Sequence, residues 1–254
     1  MILYNSLKEG DIAKYHAVQE KHWRMWEKAG DFEKAAGVLK EISKVCEEKG
    51  EGQKKKEATS ALIRMLSNPS SIDTLSNDLL SVLRSALEAS VVSDGTDASV
   101  QNQENFKALI KLLYKTRDMR SLLGAAVTML SAFPQSSYPL EWICKVHLEY
   151  VCDTLDFTSE ELEGGRMAGH VSRLLERSPN STLGKLSGGA VEWNKGKGDC
   201  KAARDALKST IGDSGNPNFY GAYILSFCHV ELAEYAECEA MVAVALGMLE
   251  AKVL

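Results

Sequence analysis

Ser214 sits in the run Gly212-Asp213-Ser214-Gly215-Asn216-Pro217, one residue away from a serine-protease nucleophile string. A serine nucleophile would need a histidine base, an orienting aspartate and backbone donors for the oxyanion, held on a β scaffold. The sequence on both sides is helical in pattern, and Gly, Asp, Asn and Pro each favour a tight turn for a separate reason. The run therefore reads as a link between helices, and hydrolysis at Ser214 is disfavoured. Cys144, His147 and Cys152 fall at i, i+3 and i+8, near one helix face, but a fourth metal ligand is missing. Core thiols at helix-packing positions account better for Cys144, Cys200 and Cys238. The phosphate loop GxxxxGK(S/T), the zinc motif HExxH and a GxGxxG behind a strand do not occur. The sequence thus points to no catalytic residue, no cofactor and no metal ligand.

Bulk properties narrow the classes further. The 254 residues are 44% hydrophobic and 26% charged with 5 prolines, a composition that lets most of the chain be helix. A formal net charge of −5 supplies no footprint for a phosphate backbone, which disfavours direct nucleic-acid binding. The one basic run, Lys54-Lys55-Lys56 beside Gly50 and Gly52, reads as a solvated loop or a helix start. Six cysteines without a CxxC pair fit reduced thiols in a cytosolic or nuclear protein, and the cytoplasm is the expected compartment. Residues Met1 to Asp11 carry early charges and no apolar core of a secretory signal. No apolar stretch approaches the ~18 residues of a membrane span.

The elements that position side chains come from an internal repeat. In the first copy Trp23 and Trp26 lie on helix A, Gly30-Asp31-Phe32 makes the turn, and Ala35 and Ala36 open helix B. A second copy sets Phe106, Leu109, Ile110 and Leu113 before the turn Arg117-Asp118-Met119, then runs through Leu122, Ala126 and Met129 to Pro134. The third turns at Gly198-Asp199-Cys200 and the fourth at Ala233-Glu234-Tyr235, 35 residues from Asp199 to Glu234. That period and order match the tetratricopeptide (TPR) unit of about 34 residues. Gaps of 87 and 81 residues between Asp31, Asp118 and Asp199 each leave room for a degenerate unit.

The expectation is one all-α solenoid, a right-handed superhelix of TPR-like helix-turn-helix repeats over residues 1–254. Clear repeats fall near 16–49, 103–136, 184–217 and 219–252, with degenerate units near 57–90 and 137–180 and a Ser/Asp/Gly-rich loop over 91–103. Asn68-Pro69-Ser70-Ser71 breaks the first degenerate unit. Thr158-Ser159-Glu160-Glu161 has capping-box form ahead of a helix B over Met167 to Glu176. Gly164-Gly165 and Gly188-Gly189 mark a helix boundary and a close helix contact. The four tryptophans, Trp23, Trp26, Trp142 and Trp193, read as core knobs.

Helix A turns residues two, five, nine and twelve of a repeat toward a concave groove. In the second copy these are Glu104, Lys107, Lys111 and Tyr114, and in the fourth Tyr220, Tyr223, Phe227 and Val230. Lys107, Lys111, Tyr114, Tyr220, Tyr223 and Phe227 are the candidate partner-binding residues; the aromatics would anchor a helix or extended segment, or else pack on the next repeat.

The stretch Ala132-Phe133-Pro134-Gln135-Ser136-Ser137-Tyr138-Pro139-Leu140-Glu141 resembles the N-terminal arm of the TPR scaffold subunit of the superkiller complex, where a helix B ending near a proline is likewise followed by Tyr-Pro-Leu-Glu. The flanking order, a Trp-containing helix near Trp23 to Glu47 and ordinary repeats after Pro179, is also similar. The resemblance implies a cytoplasmic scaffold holding an RNA helicase and a WD-repeat protein that deliver mRNA to the 3′–5′ exosome. RNA would be met only indirectly, and no membrane is involved. That family's proteins are far longer, so the chain would be a piece of one. The alternatives are a generic TPR adaptor or a co-chaperone-type module, the latter needing a ring of Lys, Asn and Arg from three consecutive repeats that the mixed groove residues do not supply.

Overall fold

The computed structural model describes residues 11–67, 74–93, 99–152, 159–193, 199–214 and 218–253. The described elements are helical throughout, with no strand among them. In order they are α1 (Ile12–Lys28), α2 (Phe32–Glu48), α3 (Gly52–Leu66), α4 (Asn77–Ser93), α5 (Val100–Lys115), α6 (Met119–Ala132), α7 (Tyr138–Val151), a single 3-10 turn (Glu160–Leu162), α8 (Gly164–Arg177), α9 (Thr182–Trp193), α10 (Cys200–Ser214), α11 (Phe219–Glu231) and α12 (Tyr235–Val253). No described helix is long and apolar enough to cross a membrane.

The helices divide into two compact units, Met1–Thr116 and Arg117–Leu254. The division falls at the turn inside the second predicted repeat, between its helix A (α5) and helix B (α6). In the first unit each helix packs on the next, α1 through α5. In the second, α6 to α12 pack successively, and α7 packs also on α9, and α9 on α11. Those alternate contacts join the A helices of neighbouring repeats, the stacking that makes a helical-repeat solenoid.

One turn recurs and explains why so many short helices pair. At the end of α1, Gly30 takes φ 74°, its N–H reaches Glu27 O, and the Asp31 N–H reaches Trp26 O at 3.0 Å. The same closing pair recurs at Gly50-Glu51 and at Ala233-Glu234, and Arg117, before Asp118, is also left-handed. This is the Schellman stop, which satisfies the last carbonyls of one helix and reverses the chain at once. An acidic residue then opens the next helix: Asp31, Asp118 and Asp199 accept from the backbone N–H three residues on. Glycine fills the left-handed position at 30 and 50; Arg117 and Ala233 hold it with a Cβ.

Several boundaries move from the sequence expectation. The expected loop over 91–103 is shorter, because α4 continues to Ser93 and α5 begins at Val100. Ser159 caps only the 3-10 turn, accepting from the Glu161 N–H, and the long helix starts at Gly164; Thr158 lies outside the described residues. Gly188-Gly189, expected at a close helix contact, lies inside α9, where Gly189 faces Leu207. Trp23 is buried in the core, whereas Trp26, Trp142 and Trp193 are half-buried. Lys34 and Lys145 lie over the Trp26 and Trp142 rings at 4.3 and 4.9 Å, which places those indoles at the wet edge of the packing. The break at 68–71 and the link residues 215–217 also lie outside the described residues.

Candidate partner-binding surfaces

In the first unit α1, α2, α3 and α5 enclose an open groove of about 1030 Å³, at the upper end of the ~300–1,000 Å³ typical of ligand pockets. Its floor is apolar, with Trp23, Leu39, Ile42, Ala58 and Ile63 all buried. Its walls are cationic: Arg24, Lys54, Lys56, Arg64, Lys107 and Lys111 line it, against the carboxylates of Glu20, Glu57 and Glu104. Glu20 binds Arg24 at 2.8 Å and Glu104 binds Lys107 at 2.7 Å, so two of the three carboxylates are already engaged. Lys54, Arg64 and Lys111 are exposed and enter no ion pair among the described residues. The groove is thus positive within a chain that is negative as a whole.

Of the candidates read from sequence, Lys107 and Lys111 line this groove beside Glu104, one helical turn apart on α5. Tyr114 is half-buried further along α5 and is not among the lining residues. Lys54 and Lys56, read as part of a solvated run, contribute to the wall from the start of α3. Sequence reasoning did not single out Arg24, although it is the ninth residue of the repeat near 16–49 and so holds the groove position that Lys111 holds in the second copy; Arg64 occupies no such position, and only the folding of α3 brings it there.

Tyr220, Tyr223 and Phe227 fall in the second unit, on α11. Tyr220 and Tyr223 pack against the cluster of Leu148, Leu186, Leu207, Ile224 and Leu225 together with Trp193. Phe227 sits 5.0 Å from Tyr223 and 5.7 Å from Trp193, centroid to centroid, and remains 43% exposed. The two tyrosines therefore serve mainly the fold, while Phe227 and the 47% exposed Val230 present an apolar surface.

The other sequence candidates are set up for packing rather than chemistry. Cys144 is fully buried, and burial pushes its thiol up to about 12, far from a thiolate. His147 is pushed down to about 4 by the same burial, and its Nδ1 faces the Ser187 hydroxyl at 3.4 Å. Ser187 in turn donates to the Cys144 carbonyl at 3.0 Å. This is a neutral core network between α7 and α9, not a donor set shared with Cys152. Ser214 is the last residue of α10.

No protein-family model matches the chain, and a search of curated proteins finds no match. Among solved structures, a TPR protein of the thermophile Thermus thermophilus is similar at 14% identity with a TM-score of 0.47, over 74% of this chain and 90% of that one. A likeness of that degree supports no inference about function.

Proposed function

We propose that the chain is a non-catalytic protein-interaction scaffold whose first unit holds an acidic segment of a partner in the groove between α1, α3 and α5. The observation that carries this reading is the groove's charge, six cationic side chains against three carboxylates in a chain of net charge −5. Helix stability does not account for that arrangement. Three lysines at the start of α3 face the positive end of the helix dipole, each at a cost of about 0.3–1 kcal/mol. Lys55 pairs with Glu47 at 3.1 Å, and Lys54 and Lys56 line the groove. Carboxylates of a partner relieve that repulsion, and the apolar floor takes the side chains between them.

Within this reading the finer role is that of a superkiller-type scaffold arm, acting in the cytoplasm with an RNA helicase, a WD-repeat protein and the exosome as partners and touching RNA only through them. Its support is the sequence stretch Tyr138-Pro139-Leu140-Glu141. The co-chaperone reading draws on the same basic groove. In both, Phe227 offers a second, apolar contact on α11.

Fluorescence anisotropy with a labelled peptide of alternating Glu and Ser, compared with Gln and Ser, tests the groove. Binding of the acidic peptide that weakens with salt, and drops at least about tenfold in Lys107→Glu/Lys111→Glu, is expected. Equal binding of both peptides refutes it. A pull-down from cytosolic extract separates the finer roles: helicase and exosome subunits support the superkiller arm, and heat-shock proteins without them overturn it.

A further inference from the structure

His16 on α1, which lines the groove of the first unit, meets Cys46 near the end of α2 and Glu51 at the start of α3. Glu51 Oε2 lies 2.7 Å from His16 Nε2, and Cys46 Sγ lies 3.8 Å from that same nitrogen. All three donor atoms lie within 4.8 Å of one another. We propose that this cluster is a zinc site, with His16 Nε2, the Cys46 thiolate and a Glu51 carboxylate oxygen as three ligands and a water from the groove as the fourth.

The geometry separates this from a nucleophile arrangement. A Cys-His-acid triad sets the thiol and the carboxylate on opposite ring nitrogens, so that one activates and the other orients. Here both partners face Nε2, and the point the three groups share is the space between them. A tetrahedral zinc, with Zn–S about 2.3 Å and Zn–N and Zn–O about 2.0–2.1 Å, places its donors roughly 3.3–3.6 Å apart. The observed 2.7 and 3.8 Å straddle that range, so side-chain shifts below about 1 Å bring the donors to zinc distances. A mixed imidazole, thiolate and carboxylate set suits zinc among the abundant divalent ions. One thiolate and one carboxylate also balance its two charges.

A second observation comes from the recurring turn. Asp11, Asp31, Asp118 and Asp199 spend their carboxylates on the backbone of the helix they open. Glu51 makes no such cap bond. Because the Glu51 N–H bonds the Cys46 carbonyl at 2.8 Å, the turn sets the side chains of residues five apart side by side. The equivalent turn in the second unit bonds the Glu234 N–H to the His229 carbonyl, also at 2.8 Å, and there the Glu234 carboxylate is met by both His229 and the guanidinium of Arg204. At Glu51 a buried thiol stands in the place of His229, and His16 is the partner in place of a fixed cation. Burial and the neighbouring Glu51 charge keep the Cys46 thiol protonated without metal. Binding therefore forms the Zn–S bond as the thiol proton leaves to solvent.

The test uses the full chain stripped of metal and titrated with Zn²⁺ against a chromophoric chelator, and with Co²⁺ by absorption. One equivalent should bind, Co²⁺ should give a thiolate-to-metal charge-transfer band in the near ultraviolet, and Zn²⁺ should raise the Tm of the first unit. Cys46→Ser should lose the band. Glu51→Gln, which keeps a hydrogen-bonding partner for His16, should weaken Zn²⁺ by more than the ~10–100-fold that loss of an outer-sphere partner costs. Should Cys46→Ser not fold, X-ray absorption on the wild-type zinc complex decides, with one sulfur expected at about 2.3 Å. Less than one equivalent bound, a nitrogen and oxygen shell without sulfur, or unchanged affinity in Glu51→Gln would overturn the proposal.

Discussion

Gly188 and Gly189 are neighbours in the middle of α9, and replacing each by alanine should move stability in opposite directions. A Cβ at Gly188 would meet only Val171 Cγ1 at 3.5 Å, an ordinary contact. The substitution then gains the helix propensity that glycine lacks, about 0.8–1 kcal/mol. A Cβ at Gly189 would lie 2.5 Å from Leu207 Cγ, 2.7 Å from Cδ2 and 3.2 Å from Cδ1. The branch point itself is struck, so a rotation of the Leu207 tip does not clear it, and Leu207 is fully buried among Ala203, Ile224 and Leu225. Overpacking of this kind costs up to about 3 kcal/mol; less the propensity gain, Gly189→Ala should lose about 2 kcal/mol. In a unit of this size that corresponds to a Tm roughly 4–8 °C lower, and about 2–4 °C higher for Gly188→Ala. Calorimetry on the full chain, following the transition of Arg117–Leu254, reads both. The clash also predicts coupling: in Gly189→Ala/Leu207→Ala the new methyl occupies space the leucine vacates, so the double variant should be more stable than additivity allows. A Gly189→Ala protein as stable as Gly188→Ala, or strict additivity in the cycle, refutes the packing argument.

Burial holds His147 near 4 against 6.5 when unfolded, so its neutral form stabilises the fold fully above pH 6.5 and loses that contribution as pH falls toward 4. Urea denaturation between these limits should lose stability at up to about 1.4 kcal/mol per pH unit, roughly 3 kcal/mol in all, and His147→Gln should flatten that slope. Ala233 holds a left-handed φ of 58°, so Ala233→Gly should gain about 0.5–1 kcal/mol by thermal unfolding, the strain relieved exceeding the unfolded-state entropy added. Tyr223→Ala should destabilise the second unit by about 2 kcal/mol because its ring packs on the core, whereas Phe227→Ala should cost under about 1 kcal/mol. A pull-down in which Phe227→Ala retains every partner removes α11 from the binding surface.

The repeat architecture is legible in the sequence because its turns are local. Gly30-Asp31, Arg117-Asp118 and Ala233-Glu234 announce a helix stop and a helix start within two residues, and both events are decided by neighbouring backbone groups. Helix ends that depend on tertiary support are less legible. The Ser and Asp content of 91–103 argues for a long loop, yet α4 reaches Ser93 and α5 starts at Val100, with the Asn105 side chain donating to Ser90 Oγ at 2.6 Å to join the two helices. The reading of Gly188-Gly189 as a close helix contact names the kind of cause, since glycine otherwise disfavours helix interiors; the partner, Leu207, is 18 positions away in sequence and no local rule names it.

The groove shows the same limit more sharply. Lys107 and Lys111 can be read from position in a repeat, since residues four apart on a helix share a face. Arg24 follows from the same rule as the ninth residue of the repeat near 16–49, but Lys54, Lys56 and Arg64 on α3 do not, and their convergence depends on how the helices pack. Net charge argues in the opposite direction, since a total of −5 averages over the chain, whereas a partner meets the local sum. The His16, Cys46 and Glu51 cluster is scattered over three elements with spacings of 30 and 5 residues, a pattern no linear metal motif covers. Both features arise where α1, α2 and α3 pack together, with α5 completing the groove, so neither is decided by residues that are neighbours in sequence.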